Sequence, residues 1–224
     1  MLILAIDTSG KQGSIALTQA DERSASDVET IEVMPLTGGT FSVQLIPQVA
    51  QLLSSNGLNK YNIGGFAVVS GPGSFTGLRV GLAAVKALAE VLCKPIAAVS
   101  LLEVCAVASG VQGKIMAALD AGRQEVYVGD YEMGAGGDPN ERLLTRSEFL
   151  AQAHGRIVVT PDPSLAEAAK PASLSVSLFP PITADAVARL GWKKIQSGQT
   201  VTPEQLEANY IRRTDAEMLE KIRS

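Results

Sequence analysis

Residues 115–131 read IMAALDAGRQEVYVGDY, and residues 2–17 read LILAIDTSGKQGSIAL. Each is an apolar run that ends in aspartate, then a turn of small residues with one basic residue and a glutamine, then a second apolar run. Asp7 and Asp120 hold matching places. The two segments open the two halves of a 224-residue chain, which is where a duplicated α/β domain puts them. The expected architecture is therefore two-lobed α/β, with duplicated mixed sheets flanked by helices. The first lobe is expected over 1–110 and a second, smaller one over 111–204. A terminal helix over about 205–224 is expected to return to the first lobe.

Composition narrows the function classes. Hydrophobic residues make up 46% of the chain and charged residues 19%, enough to bury a core and too apolar for a disordered chain. The net charge of −4 gives no basic footprint of the kind that holds nucleic acid directly. Cys93 and Cys105 both lie in apolar sequence (VLCKP, LEVCAVA), which suits free thiols in a reducing compartment. The start MLILAIDTSG enters an Asp-Thr-Ser turn at once, so it reads as a strand and not a signal peptide. No apolar run has membrane-spanning length, and a soluble cytoplasmic protein is expected. The one histidine, His154, rules out zinc sites built on paired histidines. It also stands without a GxSxG elbow, and a charged or capping histidine in the last turn of a helix, just before Gly155, is its plain reading.

Between the repeats, Leu2–Ile6 and Gly13–Thr18 read as a hairpin. Phe41–Leu53 has Leu45, Ile46, Val49, Leu52 and Leu53 at helical spacing, with Pro47 in its first turns. Phe66–Val69 reads as a strand. It leads into SGPGSFTGLRVGLAAVKALAEVL, residues 70–92, a glycine-rich loop that opens a long helix. The loop lacks the lysine of a P-loop and misses the GxGxxG spacing. Anion binding at its helix N-terminus stays open. Gly77, Gly81 and Ala84, with Val80, Ala83 and Ala87 alongside, make a strip of small residues. Glycine costs a helix about 1 kcal/mol relative to alanine, so two of them near the start predict that something presses close. Packing within this fold is one reading, and a helix shared with another subunit is the sharper one. Further on, Ser100 is expected to cap LLEVCAVAS. Thr145 and Glu148 form a capping box, and Thr183 opens TADAVARLGWKKIQS. Residues 161–181 suggest a short helix and then extended chain.

The turns after the two first strands are the candidate nucleotide positions: Asp7, Thr8 and Ser9 at one, Asp120 at the other. Aspartate ending a strand and capping a turn is the alternative. Neither turn brings a phosphate lysine or a base with it.

These residues together resemble the TsaB (YeaZ) family, partner proteins of tRNA threonylcarbamoyladenosine synthesis. ILAIDTS is similar to the family's opening, SGPGSFTGLRVGLAAVKALA to its most specific motif, LDAGRQEVYVGDY to its Asp-Ala-Arg-Arg-x-Glu-Val-Tyr segment, and ANYIRR to its C-terminal Tyr-x-Arg signature. Gly122 stands where the family has arginine, and Phe41-Ser42 where many relatives carry histidine. The resemblance implies an actin/Hsp70-like fold in two lobes and a noncatalytic role with no metal or cofactor of its own. ATP or ADP would enter only in the complex. It implies pairing with a TsaD-like subunit, the metal-bearing threonylcarbamoyl transferase with an HxxxH motif, and a TsaE-like ATPase as third component. Transfer is to adenosine 37 of tRNA, which is reached only through the complex. The family interface maps here onto Phe41–Leu53 and Phe75–Leu92, with Ser42, Leu45, Ile46, Val49, Thr76, Gly77, Val80, Gly81 and Ala84 as its residues, and with a homodimer on the same face when the chain is alone. A peptidase role finds no nucleophile or zinc site. A stand-alone ATP-dependent phosphotransferase or ATPase of the same fold is the competing enzyme class.

Overall fold

The computed structural model describes residues 1–24, 27–134 and 139–211. The first half runs β1 (Leu2–Asp7), β2 (Gln12–Ala20), β3 (Val28–Thr37), α1 (Phe41–Ser55), β4 (Gly65–Gly71), α2 (Phe75–Leu92), β5 (Ile96–Ser100) and α3 (Leu101–Ala108). The second half repeats it: β6 (Gly113–Gly122), β7 (Glu125–Met133), β8 (Asn140–Thr145), α4 (Arg146–Gln152), β9 (Ile157–Thr160), α5 (Pro163–Ala169), β10 (Ser175–Leu178) and α6 (Ala184–Gln196).

The two sheets share one topology. The first is ordered β3-β2-β1-β4-β5 and the second, read from its other edge, β8-β7-β6-β9-β10. In each, the first two pairings are antiparallel and the last two parallel. Asp7 faces Ser14 across one hairpin and Asp120 faces Val126 across the other. The duplication read from 2–17 and 115–131 is therefore the organising feature of the two-lobed actin/Hsp70-like fold.

Strands β1 and β4 are buried along their whole length, as parallel strands covered on both faces must be. Helices α1 and α2 cover one face. The other is covered by α6, which packs on β1, β2, β4 and β5. Val187 and Ala188 of α6 join the core of the first sheet, and a Cβ on Gly191 would clash with the Ala67 Cβ. The chain thus returns to the first lobe with α6, earlier than the 205–224 helix expected from sequence. Residues 202–211 also lie there, as non-helical chain, and 212–224 fall outside the described residues. In exchange, α3 leaves its own sheet: Leu102, Cys105 and Ala106 pack on Ile115, Ala117, Tyr127 and Val159 of the second. Phe149 and Leu165, from α4 and α5, cover that sheet's opposite face.

Local signals agree with the elements they predict. Ser100 accepts a hydrogen bond from the Glu103 amide and caps α3, and Thr145 with Glu148 forms the capping box of α4; Ser74, not marked from the sequence, caps α2 through the Gly77 amide. Thr183 precedes α6 but makes no side-chain cap to its backbone; its hydroxyl bonds Asp185 instead. Pro47 is the seventh residue of α1, deeper than the first turn where proline is tolerated. It leaves the Val43 carbonyl without its helical donor, on a residue that is 69% exposed. Strand β3 has no counterpart in the sequence expectation. It is an edge strand whose residues are mostly partly or fully exposed, with Glu29, Glu32 and Pro35 inside it, a pattern that edges accept and that hides a strand from a periodicity reading.

Two glycines set helix-to-sheet spacing. A Cβ on Gly77 would fall on the Thr8 carbonyl oxygen, and one on Gly191 on the Ala67 side chain. Alanine in a helix normally gains about 1 kcal/mol over glycine, whereas overpacking costs about 1–3 kcal/mol. The obstacles here are a backbone atom and a stub side chain, so overpacking wins. Gly77→Ala and Gly191→Ala should each lower the melting temperature by roughly 2–4 °C per kcal/mol lost. Thermal unfolding followed by circular dichroism checks this, and a melting point at or above that of the native sequence would refute the spacing role.

Candidate functional site

The glycine loop and the first-strand turn are built into each other. The Asp7 carboxylate is buried and accepts from the Ser9 amide (2.8 Å) and the Ser9 hydroxyl (2.6 Å). The Thr8 hydroxyl donates to the Gly77 carbonyl at 2.8 Å, and the Ser74 amide to the Ser9 carbonyl at 2.6 Å. A Cβ on Gly73 would meet Ser9, and one on Gly81 the Thr8 side chain. The small-residue strip therefore presses on this chain's own Thr8 turn. The close approach read from the sequence is real, but its inner face is not turned to another subunit. The Asp7 and Thr8 side chains both hold the turn through these hydrogen bonds.

Ser9 and Asp120 do meet. Both line an open cleft of about 1060 Å³ between the lobes, with Lys11, Gly39, Gly73, Arg123 and Tyr127 among the lining. Asp120 is exposed at its rim. Its amide donates to Asp162 at 2.8 Å, and its carboxylate accepts from the Gly122 amide. The two aspartates hold equivalent strand positions yet differ in burial, so the repeat conserves topology and not chemistry. Among the described residues no three His, Cys, Asp or Glu side chains come together as metal ligands. His154 is exposed, just past α4.

The outer faces of α1 and α2 form a second surface. Val43 is 69% exposed and Ile46 51%. Ser42, Pro47 and Ala50 are exposed beside them on α1; on α2, Thr76, Ala83 and Ala87 are exposed and Val80 and Ala84 half-buried. The expected interface set divides here. Ser42, Ile46, Thr76, Val80 and Ala84 reach the surface, with Ser42, Thr76 and Val80 also lining the cleft, whereas Leu45, Val49, Gly77 and Gly81 are buried beneath it.

At the N-terminus of α2 the chain end joins the site. Phe75 and Tyr210 rings lie 4.9 Å apart, the Arg79 guanidinium stands 3.7 Å above the Phe75 ring, and Arg79 Nε donates to the Tyr210 hydroxyl at 3.1 Å. Sequence reasoning marked Tyr210 only as part of a family motif. Nothing local could place it beside Phe75, 135 positions earlier.

Burial raises the Asp7 carboxyl above its usual value, against the lowering effect of the two Ser9 hydrogen bonds. The folded state thus favours the protonated acid more than the unfolded chain does. That contribution is present in acid and is lost as pH rises through the folded value. Asparagine keeps the same acceptor oxygen for both Ser9 donors and carries no charge to desolvate. Asp7→Asn should raise the melting temperature at pH 8, with the gain shrinking toward pH 4. Melting curves across that range test it; an equal or negative shift at pH 8 would show that the carboxylate charge is needed.

With this geometry in place, comparison with known proteins is informative. Residues 34–165, more than half of the chain, match the family model "TsaD: tRNA N6-adenosine threonylcarbamoyltransferase". The Bacillus subtilis tRNA threonylcarbamoyladenosine biosynthesis protein TsaB is 38% identical over 134 residues, 59% of this chain and 56% of that protein. Escherichia coli TsaB is 31% identical over 140 residues, 61% of this chain and 58% of that protein. The chain thus spans a little over half the length of the curated relatives it matches. YeaZ from Pseudomonas aeruginosa superposes with a TM-score of 0.71 at 24% identity, covering 93% of this chain and 100% of that one. The chain belongs to the family described by the TsaD model, and within it is similar to the TsaB (YeaZ) members.

Proposed function

We propose that this chain is the noncatalytic partner subunit that pairs with a TsaD-like protein and activates it for threonylcarbamoyl transfer to adenosine 37 of tRNA. The observation that carries the reading is the apolar outer face of α1 and α2. Two large aliphatic side chains, Val43 and Ile46, are exposed on α1, and Ala83 and Ala87 are exposed on α2, the helix that α1 packs against. Exposed apolar surface on paired helices supports reading an interaction site here. The alanines let a partner helix approach α2 closely, and Val43 and Ile46 supply side chains to bury. Leu45, Val49, Gly77 and Gly81 act from beneath by fixing how α1 and α2 sit on the sheet. The TsaB names of the relatives supply the pathway, and the family model supplies the partner type.

Alone, the chain covers the same face with a second copy. With the TsaD-like subunit present, one-to-one pairing replaces it, and a TsaE-like ATPase and the tRNA join through that complex. No helix of the described residues is long and apolar enough to cross a membrane.

The test is light scattering on a sizing column, with this chain alone and then mixed with the TsaD-like protein of the same organism. A homodimer converting to a one-to-one heterodimer is expected. Ile46→Asp places a charge where the partner would bury an aliphatic group, and should weaken both dimers by at least about tenfold, since an unpaired charge in a closed interface costs well over 1.4 kcal/mol. Ile46 is exposed in the single chain, so the variant should keep its circular dichroism spectrum and melting point. Heterodimer formation unchanged by Ile46→Asp would overturn this surface as the interface, and no complex with the native sequence would overturn the partner role.

A further inference from the structure

One carboxylate joins three separate parts of the chain. Glu141 lies on β8 in the second lobe. Its Oε1 accepts from the Tyr131 hydroxyl on the adjoining strand at 2.7 Å and also from the Ser100 hydroxyl, which sits at the β5–α3 junction of the first lobe. Its Oε2 accepts from Asn209 Nδ2 at 3.1 Å. Asn209 belongs to a strap, residues 202–211, that opens with a turn over 202–206 and is itself fastened to the first lobe. Val201 bridges Ile96 at the strap's start, Leu206 is buried in the first core, the Asn209 amide donates to the Ser70 carbonyl at 2.7 Å, and Tyr210 stacks on Phe75.

We propose that Glu141 is an interlobe latch that couples the seating of the 202–211 strap to the relative placement of the two lobes. The geometry is specific. The Asn209 carbonyl passes so close over Gly71 that a Cβ there would clash, so the strap has one seat. Tyr131 folds over Gly129, where any Cβ would meet its ring, and this brings its hydroxyl to Glu141. Ser100 serves twice, as the α3 cap acceptor for the Glu103 amide and as a donor to Glu141. Burial, then the Glu141 charge, pushes the Tyr131 phenol well above its usual value, so it stays a donor at any working pH. Hydrogen bonds to a charged acceptor contribute more than neutral ones, and all three donors here converge on one group. Removing any arm leaves the other two less well held, so the start of α3 and the strap loosen together.

Amide hydrogen exchange on the full chain tests this. Glu141→Ala should speed exchange of the 206–210 amides by roughly tenfold, the scale of losing a charged hydrogen bond. The decisive variant is Asn209→Ala. It should also speed exchange at Leu101–Glu103, which Asn209 does not touch, while the Ile3–Ile6 amides of the first core stay unchanged. Acceleration confined to the strap in Asn209→Ala would overturn the latch and leave a purely local contact. If Glu141→Ala does not fold, Glu141→Gln serves, because it keeps the shape but presents an amide donor toward donors, and the same pair of regions should loosen. Loss of protection in neither region with either Glu141 variant would likewise refute the proposal.

Discussion

The fold depends on an exchange of helices. Each sheet ends in a helix, and each of those helices covers the other lobe's sheet: α3 follows β5 but packs on the second sheet, and α6 follows β10 but packs on the first. The two meet each other, with Lys194 and Glu103 paired at 2.9 Å between them. Neither lobe can bury both faces of its sheet without the other. Trp192 of α6 reaches back to donate to the Ser24 carbonyl at 2.9 Å, and Arg189 holds the start of β3 through the Val28 carbonyl. A duplicated domain has thereby become one cooperative unit, in which the first sheet has a core strand, β1, sealed from both sides.

That sealing shapes the outer surface. With α6 closing one face of the first sheet, α1 and α2 close the other and have only their far sides left to water. Their inner sides are fixed by close contacts: Gly77 and Gly81 against Thr8, Leu45 and Val49 in the core. The second lobe is built on the same topology but with shorter covering helices. Helices α4 and α5 have seven residues each, against 15 in α1 and 18 in α2. An extended two-helix face therefore exists in the first lobe and has no equal in the second. Duplication supplied the scaffold twice, and among the described residues only one copy carries two long covering helices.

Much of this is legible in the residues, and the boundary of legibility is physical. The repeat could be read because strand, aspartate and turn are written within sixteen or so consecutive residues in each copy. The caps at Ser100 and Thr145 could be read because a cap is local chemistry. The Gly77–Gly81 strip announced a close approach, yet periodicity says only that a face is small and not what lies against it; Thr8 does, across 69 positions. Strand β3 escaped because an edge strand with glutamates and a proline lacks a buried face to print a pattern. The placement of α6 escaped for a different reason. Its amphipathic face is plain, but which sheet it covers is decided by chain topology. The Ser100–Glu141, Glu141–Asn209 and Phe75–Tyr210 contacts join residues 41 to 135 positions apart, and no local signal encodes them.

The N-terminus of α2 is where these constraints converge. Its first turn is capped by Ser74, its inner side is held by the Thr8 turn, its flank stacks on Tyr210, and its outer side begins the apolar face at Thr76 and Val80. The same residues, Gly73 to Gly77, form one wall of the cleft. A helix end placed this way cannot shift toward the cleft without disturbing the face, because Gly77 leaves no slack against Thr8. The close approaches at Gly71, Gly73 and Gly77 let a strand turn, a helix and the returning 202–211 segment occupy one small volume, so that the face above it is held at a fixed angle to the sheet.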